Sequence, residues 1–150
     1  MLSNDLYLHA QASLFAILQS LKINLSAISP NLTVFKWDAA NDATSLPETD
    51  LIGPFKMIVT NEDGLLTVAA QIVVCTLNDP NLFRLDEIIN QVFNHFAPNK
   101  RLPLVDARTG APLGILVVSD ETTVLPVERA NSRPIKSVAI EIRSDRSLPR

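Results

Sequence analysis

The chain has 150 residues, of which 47% are apolar and 19% are charged. This length fits one domain, and the apolar content excludes a wholly disordered protein. The 13 basic and 16 acidic residues leave a net charge of −3, which argues against sequence-specific nucleic-acid binding because that function normally uses a broad basic surface.

Two further features bear on the environment of the protein. No apolar run reaches the ~20 residues that a membrane-spanning helix needs, so no membrane partner is expected. The one cysteine, Cys75, cannot form an internal disulfide. We therefore expect a reducing compartment, with Cys75 acting as a small buried apolar residue.

The first predicted element is a helix that begins with a cap at Ser3 and runs to about Leu25. Its apolar residues recur at about 100° per residue along one face. Leu8 and Phe15 fall on the opposite face, among polar residues. Two interpretations stay open for this pair: ordinary exposed apolar residues, or a second face that contacts a neighbouring subunit.

A β-like run at residues 32–37 is followed by a long predicted loop at 38–51. Connections of this length are uncommon inside compact domains and are often functional. Four carboxylate side chains occur in the loop: Asp38, Asp42, Glu48 and Asp50. Their spacing lacks the pattern of a calcium-binding loop, so we predict a solvated surface loop rather than a metal site.

The next pattern predicts a β-hairpin. Two alternating runs flank the segment Asn61-Glu62-Asp63-Gly64, and Asp-Gly is a strong turn signal because glycine accepts a positive φ. The returning strand extends from about Leu65 to Leu77. One of its faces is apolar, whereas the other is small or moderately polar, which favours either light cover or cover by another subunit.

A second amphipathic helix is predicted directly after the hairpin. Asp79 is its expected cap and Pro80 its first residue, and Pro98 ends it. Phe83 lies off the apolar stripe and is a candidate contact residue. His95, in the last turn, is expected to interact favourably with the negative end of the helix.

The last third of the chain is β-like. Runs at 102–106 and 113–119 flank a predicted turn, and the run at 122–128 contains Pro126, which favours an edge or bulged strand. A closing strand follows, and residues 144–150 are predicted to be a flexible polar tail. Residues 1–143 are thus predicted to form one α+β domain, a mostly antiparallel sheet with two amphipathic helices packed on it.

The sequence carries no recognisable catalytic or cofactor motif. It lacks a nucleophile elbow and a phosphate-binding glycine-rich loop, and neither His9 nor His95 has metal ligands at a suitable spacing. We therefore predict a protein that is not an enzyme and that needs no cofactor or metal ion.

The charges are distributed unevenly. Acidic residues dominate positions 38–63, whereas the basic residues of the C-terminal part are Lys100, Arg101, Arg108, Arg129, Arg133 and Lys136. This asymmetry allows the acidic part of one copy to meet the basic part of the next, head to tail. A solvated surface of mixed sign explains it equally well.

The element order resembles that of the tail terminator (tail completion) proteins of long-tailed bacteriophages. The resemblance depends on the strand at 65–77 passing into the helix at 79–96, and on the closing run at 133–143. The β-like residues between Lys100 and Thr123 depart from the simplest layout of that family.

The resemblance implies a virion subunit, assembled in the host bacterial cytoplasm, that forms a hexameric ring. Such a ring caps the tail tube, joins it to the neck or connector protein, and leaves a channel through which DNA can pass. The tail tube protein and the neck protein are the implied partners. The predicted contact residues are Leu8, Phe15, Asp38, Asp42, Glu48, Asp50, Phe83, Arg129 and Arg133.

Two alternatives remain open. One is a small cytoplasmic α+β ligand-binding or enzymatic domain, which would need a deep pocket with convergent polar groups. The other is a neck or connector subunit of a related contractile particle.

Overall fold

A computed structural model describes residues 5–39, 46–130 and 132–146 of the protein. The helices are α1 (Leu6–Asn24) and α2 (Phe83–His95), with a 3-10 helix at Trp37–Ala39. The strands are β1 (Thr33–Val34), β2 (Leu51–Glu62), β3 (Leu65–Cys75), β4 (Arg101–Val105), β5 (Pro112–Val118), β6 (Thr123–Val124), β7 (Glu128–Ala130) and β8 (Arg133–Ser144). The fold is α+β, as predicted.

The strands form one curled, mostly antiparallel sheet in the order β1-β2-β3-β8-β5-β4. Only the pair β1–β2 is parallel among the described strands. The long strand β8 pairs with β3 along one edge, while β5, β6 and β7 share its other edge. Pro126 separates β6 from β7, since proline cannot donate a hydrogen bond to β8.

The predicted hairpin is confirmed. Asp63 and Gly64 both have positive φ (52° and 84°), as a tight two-residue turn between twisted strands requires. The register between β2 and β3 shifts by one residue between Phe55 and Ile58, at a bulge where Lys56 has a φ of 54°. The Lys56 N–H donates to a carboxylate oxygen of Asp38, at 3.3 Å.

Both helices pack on the same face of the sheet, which we call the inner face. The apolar core there combines alternate residues of β3 and β8 with the buried stripes of α1 and α2. Helix α1 contacts β1 and β2 at one end of the strand order and β4 at the other. The helix therefore closes the gap between the two ends of the curled sheet.

Two buried polar residues of α1 explain how the helix meets the edge of β4. The Val105 N–H donates to Ser13 Oγ at 2.8 Å, and the Ala107 N–H donates to His9 Nδ1 at 2.9 Å. Both side chains are almost fully buried. They satisfy backbone N–H groups that an uncovered edge strand would present to solvent.

Replacing Ser13 by alanine is expected to lower the free energy of unfolding by about 1–3 kcal/mol, because the Val105 N–H would lose the Ser13 hydroxyl as its acceptor while remaining partly buried. Chemical denaturation measures the change. Ser20→Ala, at an exposed position of the same helix, is the matched control. Equal stability of the two variants would contradict this role for Ser13.

Helix α2 starts later than predicted. Its first residue is Phe83, because Leu82 has a left-handed φ of 60° and interrupts the helix. Pro80 lies in the preceding turn and not in the first helical position. The N-cap residue is therefore Leu82 and not Asp79 as predicted, but the Asp79 carboxylate still accepts the N–H groups of Arg84 (3.4 Å) and Leu85 (2.9 Å) in the first turn.

Other predictions at the ends of elements also need correction. The run at 32–37 contains a strand of only two residues before the 3-10 helix. Ser144 belongs to β8 rather than to a tail, and its buried hydroxyl accepts the Leu66 N–H at 2.9 Å. Burial and the neighbouring Lys100 lower the pKa of His95, which disfavours the charged partner that the helix end would prefer.

Candidate subunit-contact surfaces

The outer side of α1 carries a second stripe of residues. Leu8, Gln11, Ala12 and Phe15 are spaced three or four positions apart, so they lie along one line of the helix. Leu8 is 42% exposed and Phe15 is half-buried. The predicted pair Leu8 and Phe15 is therefore brought together on one surface, away from the inner core.

Three residues from other segments complete a groove along this stripe. Lys36, Ala107 and Arg108 line it together with the four α1 residues, and its volume is about 430 Å³. We call this surface the helix groove. Arg108 Nε lies 3.5 Å from a carboxylate oxygen of Asp5, whereas Lys36 has no carboxylate within 4 Å in the described chain. The groove therefore combines apolar side chains with two cations.

The opposite face of the sheet, the outer face, is covered at one end by its own chain. The segment after β1 crosses β2 at Gly53, which has no side chain to obstruct it, and places Trp37 on Val73 and Cys75. Trp37 Nε1 donates to the Val73 carbonyl at 3.2 Å. Burial raises the pKa of the Cys75 thiol to about 11, in agreement with the predicted buried apolar role.

The rest of the outer face is open in the described structure. Ile58 on β2 is 64% exposed, and its neighbours across β3 and β8 are small or polar and half-exposed. Examples are Ala69, Gln71 and Ala139. The sequence left two possibilities for this face, light cover or cover by another subunit, and the structure shows light cover at one end only.

A third exposed surface lies on the outer side of α2. Phe83, the first residue of the helix, is 70% exposed. Glu87 follows one turn later and is also exposed. Val124 and Val127, on and after the neighbouring strand β6, expose further apolar area.

Asp50 differs from the other described contact candidates because it is buried. Its carboxylate accepts hydrogen bonds from Ser29 Oγ (2.5 Å), the Leu77 N–H (2.9 Å) and Arg84 Nε (2.7 Å). Burial alone would raise the pKa of Asp50, but the hydrogen bonds from Arg84, Ser29 and Leu77 outweigh it and lower that pKa. The residue thus ties three segments of its own chain together.

Arg133 is also engaged inside the chain. Its guanidinium donates to the carbonyls of Pro47 and Thr49, which fixes residues 46–50 against β8. Glu48, in the same segment, is exposed.

The remaining predicted contact residues are near the surface or outside the described chain. Arg129 is exposed and donates to the Ser132 carbonyl at 3.4 Å, while Asp38 is exposed beside the β2 bulge. Asp42 lies outside the described residues.

Within residues 5–39, 46–130 and 132–146, no three His, Cys, Asp or Glu side chains converge as metal ligands would. No described helix is both long and apolar enough to cross a membrane. The sequence matches no protein-family model and no curated protein.

Sequence reasoning missed several residues that shape these surfaces. Lys36 carries no motif, and its place in the helix groove depends on contacts far along the chain. Gly53 did offer a signal, because a glycine inside a strand often marks a close backbone approach. The sequence contains no signal for the role of Arg84, since its partner Asp50 lies 34 positions earlier.

Proposed function

We propose that this protein is a structural subunit of a phage tail or neck. In this proposal its copies form a ring that caps the tail tube and joins it to the head-neck connector. The observation that carries the proposal is the open second face of α1. A helix with apolar residues on both faces is normally covered on both, yet the described residues of the chain leave open the groove that Leu8 and Phe15 line.

Sister copies of the chain are the proposed cover for that groove. Isolated exposed apolar residues are ordinary, but here they share a groove, and other exposed apolar residues lie on α2 and the outer face of the sheet. Several distinct contact surfaces on one small domain suit a subunit with neighbours on more than one side. The element order, which resembles that of tail terminator proteins, supports the phage tail as the setting.

The proposed mechanism is geometric and involves no covalent chemistry. A ring binds the last layer of the tail tube, blocks further polymerisation, and presents its other side to the neck protein. The proposed contacts are Leu8, Phe15, Phe83, Glu48, Asp38 and Arg129. Asp50 and Arg133 support them indirectly, by fixing residues 46–50 within the subunit.

The charge asymmetry contributes less than the sequence suggested. Lys136 is paired with Asp86 at 3.1 Å and Arg101 with Asp145 at 3.0 Å, both within the chain. Head-to-tail attraction between copies would therefore depend on cations such as Lys36 and Arg129, which have no such carboxylate partner in the described structure.

A ligand-binding or enzymatic domain would be supported by a deep polar pocket between the helices and the sheet. In the described residues that space is filled by apolar side chains of the inner core. The helix groove lies on the other side of α1 and is lined mainly by apolar groups. The structural-subunit proposal therefore has the stronger physical support.

Negative-stain imaging of the purified protein, with and without tail tubes, tests the proposed function. We expect rings with a central hole, and a cap at one end of each tube, because the open apolar surfaces are covered only in the assembly. Small featureless particles, together with bare tube ends in the mixture, would contradict the proposal.

A further inference from the structure

We propose that Phe83 of one copy inserts into the helix groove of the next copy, while Glu87 of the first copy faces Lys36 of the second. This inference rests on the proposed function, because it names the contact that would repeat around the ring. The occupant of the groove is thus a second copy of this chain.

Phe83 is a large aromatic residue that is exposed enough to contact another copy of the chain. It is 70% exposed, and aromatic side chains dominate the energetics of protein interfaces. Leu82, just before it, packs against the core in a left-handed conformation with a φ of 60°. Such a conformation is strained for a residue other than glycine. The strained turn keeps Leu82 inside and Phe83 outside.

The charges of the two surfaces are complementary. Glu87 lies four residues after Phe83, so both side chains are on the same side of α2. Glu87 is exposed and has no cation within 4 Å in the described chain, while the adjacent Asp86 is already paired with Lys136. Lys36 of the helix groove likewise has no carboxylate partner there. Docking pairs these two groups of opposite sign beside an apolar contact.

The two surfaces are separate patches of the subunit, although Lys36 of the groove follows β1, which pairs with the start of β2. Phe83 adjoins Arg84, which is bound to Asp50 immediately before β2 begins. In the groove, Ala107 and Arg108 follow the end of β4, and the strand register puts that end on the side of the β2–β3 turn. Contacts between two different patches repeat head to tail, and they close into a ring when the rotation permits.

Sedimentation velocity of the full chain over a range of concentrations tests the apolar part of the contact. Phe83→Ser is expected to raise the dissociation constant between copies by about tenfold or more, since it removes the central aromatic group. Ile23→Ser is the matched control, because Ile23 is 73% exposed on α1 but does not line the groove. It should leave the dissociation constant unchanged.

Charge reversal tests the polar part. Glu87→Lys and Lys36→Glu should each weaken association by about two- to fivefold. The double variant should recover most of the wild-type affinity, because each interface again joins opposite charges. Thermal unfolding of every variant checks that the changes act on association rather than on folding.

The outcomes separate this inference from the proposed function. If Phe83→Ser associates like the wild type, or the double variant fails to recover, the docking is overturned, and rings in the images would still support the proposed function. If association depends on Phe83 but no rings form, the docking stands and the ring proposal fails. A wild-type chain that stays monomeric at every concentration overturns the docking.

Discussion

Gly53→Ala is expected to lower the free energy of unfolding by about 3 kcal/mol. An added Cβ would stand 1.7 Å from the backbone oxygen of Phe35 and 3.1 Å from Trp37 Cδ1. A backbone oxygen cannot rotate away, so the segment that carries Trp37 must lift from the sheet. Val73 and Cys75 would then lose their cover.

Denaturation followed by the fluorescence of Trp37, the one tryptophan, measures this effect directly. We expect a lower midpoint and a red-shifted native emission. Gly110→Ala is the control, because its φ of +74° disfavours a side chain but nothing lies within 4 Å of the added Cβ. Gly110→Ala should lower the free energy of unfolding by about 1 kcal/mol. A Gly53→Ala protein as stable as the control would contradict the crossing at Gly53.

Asp50→Ala is expected to lower the free energy of unfolding by a similar amount, about 3 kcal/mol. The substitution leaves Arg84 without its carboxylate and removes the acceptor of Ser29 and of the Leu77 N–H. This loss of stability is at the low end for a broken buried ion pair, because the Arg84 side chain is 28% exposed to solvent. Glu48→Ala, at an exposed site in the same segment, should change stability by no more than about 0.5 kcal/mol.

The stabilisation of the fold by the Asp50 carboxylate is expected to weaken in acid. The folded state lowers the pKa of Asp50 below its ordinary value of 3.8, so the unfolded chain takes up the proton first as the pH falls. The stabilisation is complete above about pH 4 to 5, and it is lost as the pH falls through the lowered pKa. The stability difference between wild type and Asp50→Ala should therefore narrow in acid. A difference that stays constant to pH 2 would exclude the charged pair as its cause.

The elements that the sequence predicted well depend on neighbouring residues alone. The hairpin follows from Asp63-Gly64 between alternating runs, and the two helices follow from apolar residues at helical spacing. Their ends were less accurate, because tertiary contacts decide them. Leu82 packs into the core and delays α2, and β8 continues through Ser144 because its hydroxyl binds β3.

The candidate surfaces could likewise be predicted only where neighbouring residues alone determine them. Helical periodicity alone placed Leu8 and Phe15 on a second face, and both line the groove. The composition of the loop at 38–51 cannot distinguish an exposed carboxylate from a buried one, so it predicts the same contact role for Asp50 and Glu48. Its burial depends on Arg84 and Ser29, whose positions relative to Asp50 are set by the whole fold.

Thiol labelling at position 8 tests most directly whether sister copies cover the helix groove. In a Leu8→Cys variant the native Cys75 contributes little, because it is buried and its pKa is about 11. The labelling rate at position 8 should fall several-fold as the protein is concentrated, while that of an Ile23→Cys control stays constant. Equally fast labelling at both positions, at every concentration, would show that the groove remains open and would contradict the account.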